Sequence, residues 1–249
     1  MRSDRPNDAF ADHPANFRTT HWSVVLKAGN EDAVQCADAL ERLCRAYWHP
    51  IYAFVRRRGY SADEAKDHVQ GFFAALLQRK GLERVDPDKG RFRTFLLASV
   101  THFLANEWQK QQTQKRGGGY EFLSLDAASE EERYQLEPMH HLTPERLFEQ
   151  RWAHAVLERV VTRLEQEFDQ AGHGDRYECL KAFLSGDGAE ISYADAARNL
   201  NVSVGAVTSI IHRMRQRYRE LFRDEISQTV ENPAEVDDEI RCLIAALTP

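Results

Sequence analysis

Apolar residues recur every three or four positions over most of the chain, whereas the alternation typical of a β-strand is nearly absent. One apolar stripe runs over residues 34–58 and is followed by a break. Ser61 and Glu64 then have the spacing of a capping box, which predicts the start of a second helix. A third stripe begins at Phe92. The pattern predicts a compact helical bundle that ends near Gln112.

The second half of the chain keeps the same helical period. Thr143 and Pro144 are suited to the N-cap and the first position of a long helix that ends near Gly172. A shorter helix is predicted over residues 175–184, and Asn232 precedes a last amphipathic helix. The apolar residues of that last helix are Val236, Ile240, Leu243, Ile244 and Leu247.

Between these helices, residues 192–223 have the pattern of a helix-turn-helix that ends in a run of arginines. Ser192 and Asp195 form a capping-box signature, Asn201 lies in a turn, and Ser203 can cap the second helix. The predicted inward residues of the second helix are Val207, Ile210, Ile211, Met214, Tyr218 and Leu221. A second helix of this kind fits the major groove of DNA. The alternative is an ordinary helical hairpin with a solvated arginine face.

These elements predict an all-α fold with two helical domains joined by a flexible linker. The linker is recognised by the glycine triplet at 117–119 and by the small and acidic residues that follow it. The predicted divisions are an N-terminal extension over 1–33, a first domain over 34–112, a linker over 113–142, a second domain over 143–228 and an acidic C-terminal helix over 229–249.

Charge is segregated along the 249 residues, although the net charge is only −6. Residues 89–116 carry a net charge of +5, residues 204–223 carry +4 and residues 224–249 carry −6. Two basic segments in an acidic chain predict a two-point grip on a polyanion. The acidic last helix either packs on its own domain or docks across the basic segments as an autoinhibitory or partner-binding element.

The third helix carries a second set of candidate nucleic-acid ligands, because amides suit base edges and cationic side chains suit phosphates. These candidates are Arg91, Arg93, His102, Asn106 and Lys110. The neighbouring Phe92, Phe103 and Trp108 can stack on unpaired bases if they are exposed. The alternative is that the aromatic residues are core residues and that the polar face is merely solvated.

Sequence motifs of catalysis and metal binding are missing. The chain contains no GxxxxGK[ST], HExxH or GxSxG motif, and His140 and His141 have no neighbouring ligand at a useful spacing. Its four cysteines show no CxxC pairing, and no apolar run reaches the roughly 18 residues of a membrane span. We therefore expect a cytoplasmic protein that is not an enzyme and that uses no cofactor or metal.

The order of these motifs resembles that of bacterial sigma-70 family factors of the extracytoplasmic-function type. The segments that carry the resemblance are DEAKDHVQGFFAALLQ, GRFRTFLLASVTHFLANEWQK and, after the linker, SYADAARNLNVSVGAVTSIIHRMRQRYREL. It covers residues 40–112 and 145–226, which implies a region-2-like bundle and a region-4-like helix-turn-helix domain. Asp67, Val69 and Gln70 match the helix that binds core RNA polymerase in this family, and Gly71 stands where an acidic residue is usual.

The resemblance also implies promoter DNA as a partner. The third helix, with Arg91, Arg93, His102, Asn106 and Lys110, would engage the −10 element and its opened strand. The helix-turn-helix would read the −35 element through Ser203, Thr208, Ser209, His212, Arg213 and Arg217. An anti-sigma factor or other regulatory protein is left open. Two other classes of function are also open, namely a one-component regulator with an N-terminal ligand-binding domain and a helical adaptor that binds no DNA.

Overall fold

The computed structural model describes residues 33–78, 91–113, 131, 134, 142–184, 191–230 and 232–248. These residues form eight α-helices and no strand, which confirms the predicted all-α class. Nearly all of the predicted N-terminal extension and linker, including the glycine triplet and the two adjacent histidines, lies outside the described residues.

The first three helices are α1 (Ala33–Arg57), α2 (Ala62–Gln78) and α3 (Phe92–Thr113). Gly59 follows α1 with a φ of +97°, a conformation that glycine adopts without steric cost. The predicted capping box then starts α2. The Ser61 hydroxyl accepts a hydrogen bond from the Glu64 amide at 3.3 Å, and the Glu64 carboxylate accepts one from the Ser61 amide at 2.8 Å.

The second half of the chain contributes five α-helices. They are α4 (Pro144–Gln170), α5 (Gly174–Leu180), α6 (Tyr193–Asn199), α7 (Val204–Ser227) and α8 (Val236–Leu247). As predicted, Thr143 caps α4, because its hydroxyl accepts a hydrogen bond from the Arg146 amide at 3.2 Å. Short 3₁₀ turns over residues 181–183 and 233–235 follow α5 and precede α8.

Helix α4 supplies side chains to two hydrophobic cores. Phe148, Trp152 and Val156 in its first half are buried among residues of α1, α2 and α3. Val160 and Leu164 in its second half are buried with residues of α5, α6 and α7. The two predicted domains are therefore packed against one another along one continuous helix.

Two further segments lie against this framework. Glu131, from the predicted linker, accepts hydrogen bonds from the Tyr52 hydroxyl at 2.6 Å and from Arg56 at 2.7 Å. At the other end of the chain, α8 contacts α4 and α7 and buries Val236 and Leu243 in the first core. Both predicted domains are thus in contact with the C-terminal helix.

Candidate nucleic-acid interface

Helices α6 and α7 are joined by a tight turn over residues 200–203. The Ser192 hydroxyl accepts a hydrogen bond from the Asp195 amide at 3.1 Å, and the Asp195 carboxylate accepts one from the Ser192 amide at 3.2 Å. The hydrogen bonds from Ser192 hold the pKa of Asp195 below its ordinary value of 3.8. Asn201 has a φ of +51°, in the left-handed region that asparagine tolerates better than most residues.

Small residues let α6 approach α7 closely. Ala196 and Ala197 are buried in the second core together with Val207 and Ile211. The predicted inward face of α7 is confirmed, because four of its six residues are buried and the other two, Ile210 and Tyr218, are partly buried. The opposite face of the first turns of α7 is therefore exposed.

That opposite face carries five of the six residues predicted to meet the −35 element. We call it the α7 surface; it consists of Ser203, Thr208, Ser209, His212 and Arg213, all of which are exposed. The three hydroxyl side chains hydrogen-bond to nearby backbone groups, and Ser203 serves as the N-cap of α7. His212 and Arg213 make no hydrogen bond or ion pair with another described residue. These two side chains are free to meet a ligand.

Arg217, the sixth predicted residue, is hydrogen-bonded to two carboxylates of the protein. Two of its guanidinium nitrogens donate to the Glu167 carboxylate, each at 2.8 Å, and a third donates to Glu220 at 3.1 Å. The hydrogen bond to Glu167 is the largest cause of the raised pKa of Arg217. A bidentate pair of this kind fixes the guanidinium in the molecule.

Two other arginines of α7 also have internal partners. Arg215 donates two hydrogen bonds to the Phe183 carbonyl, at 2.9 and 2.6 Å, and Arg223 pairs with Asp237 at 2.6 Å. The arginine run therefore does not form one free cationic face. The α7 arginines that are exposed and form no ion pair with another described residue are Arg213 and Arg219.

The middle of α3 offers a smaller exposed face. His102 and Asn106 are exposed and form no hydrogen bond with another described residue, while the side chain of Lys110 lies outside the described part. Trp108 is 57% exposed, whereas Phe92 is fully buried and Phe103 is partly buried against Phe72. Of the three aromatic residues predicted to stack on bases, Trp108 is the one whose ring is mainly exposed.

The arginines at the start of α3 are bound by carboxylates of the protein itself. Arg93 is only 4% exposed, and its Nε and Nη2 donate to the two carboxylate oxygens of Glu239 at 2.8 and 3.3 Å. Its Nη1 donates to Glu149 at 2.9 Å, and the guanidinium lies 4.8 Å from the centre of the Trp152 ring. Burial by itself lowers the pKa of Arg93, but the hydrogen bond and charge of Glu239 more than offset this and leave it raised.

Arg91 completes this ion-pair cluster. Its Nε lies 2.7 Å from Glu239 Oε2, and its Nη1 donates to the Cys242 sulfur at 2.9 Å. Glu239 is fully buried, so that two guanidinium groups compensate one buried carboxylate. That Arg91 and Arg93 contact the −10 element stays a prediction. In this conformation both arginines bind Glu239 of α8.

The candidate polymerase contacts lie on α2. Asp67 is exposed and Gln70 is partly exposed, whereas Val69 is fully buried in the first core. A buried side chain cannot touch a partner, so the predicted contact stays with Asp67 and Gln70. At Gly71, a Cβ atom would lie 3.2 Å from Phe103 Cζ, so the Phe103 ring would have to shift slightly to admit a side chain there.

No group of three or more His, Cys, Asp or Glu side chains in the described part of the chain could hold a metal ion. No helix there is long and apolar enough to cross a membrane.

Comparison with known proteins finds one related region. Residues 43–114, from the middle of α1 to the end of α3, match the model of sigma-70 region 2. The match covers less than a third of the 249 residues and shows that this part of the chain is similar to sigma-70 region 2. No match was found among curated proteins or among solved structures.

Proposed function

We propose that this protein is a sigma factor of the extracytoplasmic-function type, which directs core RNA polymerase to specific promoters and assists their melting. The observation that carries the proposal is the region 2 match over residues 43–114, followed along the chain by the exposed α7 surface. Sigma factors of this family generally perform no chemistry themselves, and the polymerase supplies the catalytic centre. Such a factor works beside the polymerase in the cytoplasm.

The α7 surface would read the −35 element in the major groove. The exposed hydroxyl and imidazole groups of Thr208, Ser209 and His212 can bond to base edges, and Arg213 can bond to a base or a phosphate. The first turns of the second helix are the part that meets DNA in such an arrangement. This assignment depends on the exposure of these four side chains.

Helix α3 would act on the −10 element. Opening a base step costs a few kcal/mol of lost stacking, and an aromatic ring that stacks on the freed base can offset part of that cost. The exposed ring of Trp108 and the exposed polar groups of His102 and Asn106 are suited to this role. Asp67 and Gln70 on α2 would meet the polymerase.

A one-component regulator with a ligand-binding N-terminal half is the alternative function. The region 2 match does not favour it, since that match falls on the half that would have to bind the ligand. The two functions differ in what the isolated protein does. A one-component regulator binds an operator tightly without polymerase, whereas a sigma factor binds free DNA weakly and associates with core polymerase.

The proposal is tested by Arg213→Ala in transcription from genomic fragments with purified core polymerase. We expect the free energy of promoter binding to weaken by about 1–3 kcal/mol, which is roughly a fivefold to 150-fold loss of affinity, because Arg213 is exposed without an internal ion pair. Co-purification with the polymerase should stay unchanged.

Arg219→Ala is the matched control, because Arg219 is an equally unpaired exposed arginine on another face of α7. Wild-type protein that neither co-purifies with core polymerase nor yields a promoter-specific transcript would refute the proposed function. Equal losses in the two variants would refute the assignment of the α7 surface.

A further inference from the structure

We infer that α8 is an internal latch that competes with DNA for the start of α3. In this state the Glu239 carboxylate pairs with Arg91 and Arg93. Promoter binding requires α8 to dissociate from α3. The inference rests on the proposed function and adds to its DNA-binding surface the first turn of α3, where the sequence predicts that Arg91 and Arg93 contact the −10 element. We call the contact of Glu239 with Arg91 and Arg93 the Glu239 latch.

The latch uses the hydrogen-bond donors that a phosphate would need. Arg93 directs Nε and Nη2 at Glu239 and Nη1 at Glu149, so both edges of its guanidinium face carboxylates. Arg91 directs Nε at Glu239 and Nη1 at Cys242. A guanidinium bonds to a carboxylate or to a phosphate through the same planar edge. The guanidinium groups of Arg91 and Arg93 therefore cannot bind Glu239 and a DNA phosphate at the same time.

Burial strengthens the exclusion. Arg93 is 4% exposed and Glu239 is fully buried, so that no phosphate can approach Arg93 while α8 stays in place. The Trp152 ring covers the guanidinium from the side of α4. A surface ion pair could exchange partners with DNA directly, but this buried pair requires movement of the whole helix.

The helix that carries Glu239 is small enough to move as a unit. It has 12 residues, and besides the latch it is held by the buried Val236 and Leu243 and by the exposed pair of Asp237 with Arg223. Its partly buried residues Ile240, Ala246 and Leu247 also pack against the first core. Elements with fewer buried contacts open at a lower free energy than the rest of a domain. Release of α8 would also end its contacts with α4 and α7.

The latch also accounts for the burial of a charged side chain, Glu239, on the inward face of α8. The segment 224–249 carries a net charge of −6, and one of its carboxylates is buried against the most basic turn of α3. An acidic helix held on a basic nucleic-acid surface repels DNA as well as covering it. Its removal would change the local charge in favour of a polyanion.

Glu239→Gln tests the latch, because it removes one charge while keeping the size of the side chain. We expect the polymerase-bound variant to bind the promoter fragment that yields a transcript about tenfold more tightly, since a larger fraction of molecules has α8 released. Hydrogen exchange of the amides of residues 236–247 should become faster in the free variant.

Asp238→Asn is the matched control. Asp238 is exposed and pairs with Arg241 of the same helix, so the substitution removes the same charge from α8 without touching α3. We expect promoter affinity within about twofold of the wild type, as is usual for exposed pairs. Equal effects of the two substitutions would overturn the latch, and so would an unchanged or weaker affinity of Glu239→Gln.

A measurement on the wild-type protein covers the case in which Glu239→Gln fails to fold. If the latch operates, amides of residues 236–247 lose protection from exchange when the polymerase-bound protein binds the promoter fragment. Protection that persists in the promoter complex overturns the latch while leaving the proposed function intact. A wild-type protein without any polymerase-dependent transcript refutes the proposed function, and the latch falls with it.

Discussion

Two arginines that look equivalent in the sequence have different surroundings in the fold. Arg93 is buried and held by Glu239 and Glu149, whereas Arg213 is exposed and forms no ion pair with another described residue. Both follow from the position of the side chain on its helix, since Arg93 lies on the same face of α3 as the buried Leu96 and Val100, whereas Arg213 lies away from the buried face of α7. Residue type alone thus identifies candidate ligands of DNA but does not tell which of them are free.

His68 provides a prediction about pH at the scale of a single residue. Its ring is half-buried with edge contacts to Tyr60 and Phe103, and burial lowers its pKa below 6.5 although Glu107, Glu64 and Asp67 act in the opposite direction. The unfolded chain then binds a proton more readily than the folded protein. Stability should therefore fall as the pH drops through 6.5 and should stop falling below the folded-state pKa.

Urea denaturation of wild type and His68→Gln, at about pH 8 and about pH 5.5, measures this effect. The difference in unfolding free energy between the two pH values should be smaller in the variant. His102→Gln serves as the comparison, because His102 is exposed on α3. A pH dependence that is identical in all three proteins would contradict the prediction.

At the scale of the element, hydropathy and capping residues were sufficient to predict most helices. The two capping boxes, the cap at Thr143 and the inward face of α7 are all present in the structure. The inward face of α8 was only partly predicted, because Ile244 is 56% exposed while Glu239 is fully buried. Glu239 follows Val236 by three residues and precedes Leu243 by four, so that a carboxylate lies within the apolar stripe.

The pattern along one helix could not reveal the partners of that carboxylate. Helical spacing tells which face of α8 is buried but carries no information about the surface that it meets, in this case Arg91 and Arg93 on α3. A buried charge does require a compensating partner, so Glu239 was itself a detectable signal. The same limit applies to the surroundings of Gly71, where a Cβ atom would lie against Phe103 of another helix.

The cap of α6 gives a prediction for an element. Ser192→Ala removes the hydroxyl that bonds to the Asp195 amide, and loss of such a cap costs about 1 kcal/mol. Thermal unfolding should move down by about 2–4 °C for a chain of this size. Ser99→Ala, within α3, removes a hydroxyl that caps no helix and should leave the free energy of unfolding within about half a kcal/mol of the wild type. Equal shifts would show that the cap contributes nothing specific.

At the scale of the whole molecule, the structure brings together two modules that the sequence divides at a linker. The division follows from the glycine triplet and the polar composition, both of which are local signals. The contact between the modules depends on Phe148, Trp152 and Val156, whose spacing indicates only that one side of α4 is buried. No local pattern distinguishes burial within a module from burial between modules.

A nicked protein tests this arrangement. After cleavage at a protease site inserted at residue 125, the two fragments should elute together from a size-exclusion column, because Trp152 is fully buried among residues of α1–α3. Trp152→Ala should make them separate, since loss of such a ring costs about 3–5 kcal/mol. Val161→Ala, at a residue of α4 that is 37% exposed, should leave the fragments associated. Separation of the unmodified fragments would contradict the shared core.

Because α4 contributes side chains to both hydrophobic cores, it limits where this chain can be joined to a related one in a chimera. A chimera joined within residues 113–142 would bring a foreign α4, and its first half would have to fit the existing pocket for Phe148 and Trp152. A junction between Val156 and Val160 would keep each half of the helix with its native neighbours. Under the proposed function, exchange of promoter specificity between two such proteins should therefore succeed more often with crossovers inside α4 than with crossovers within residues 113–142.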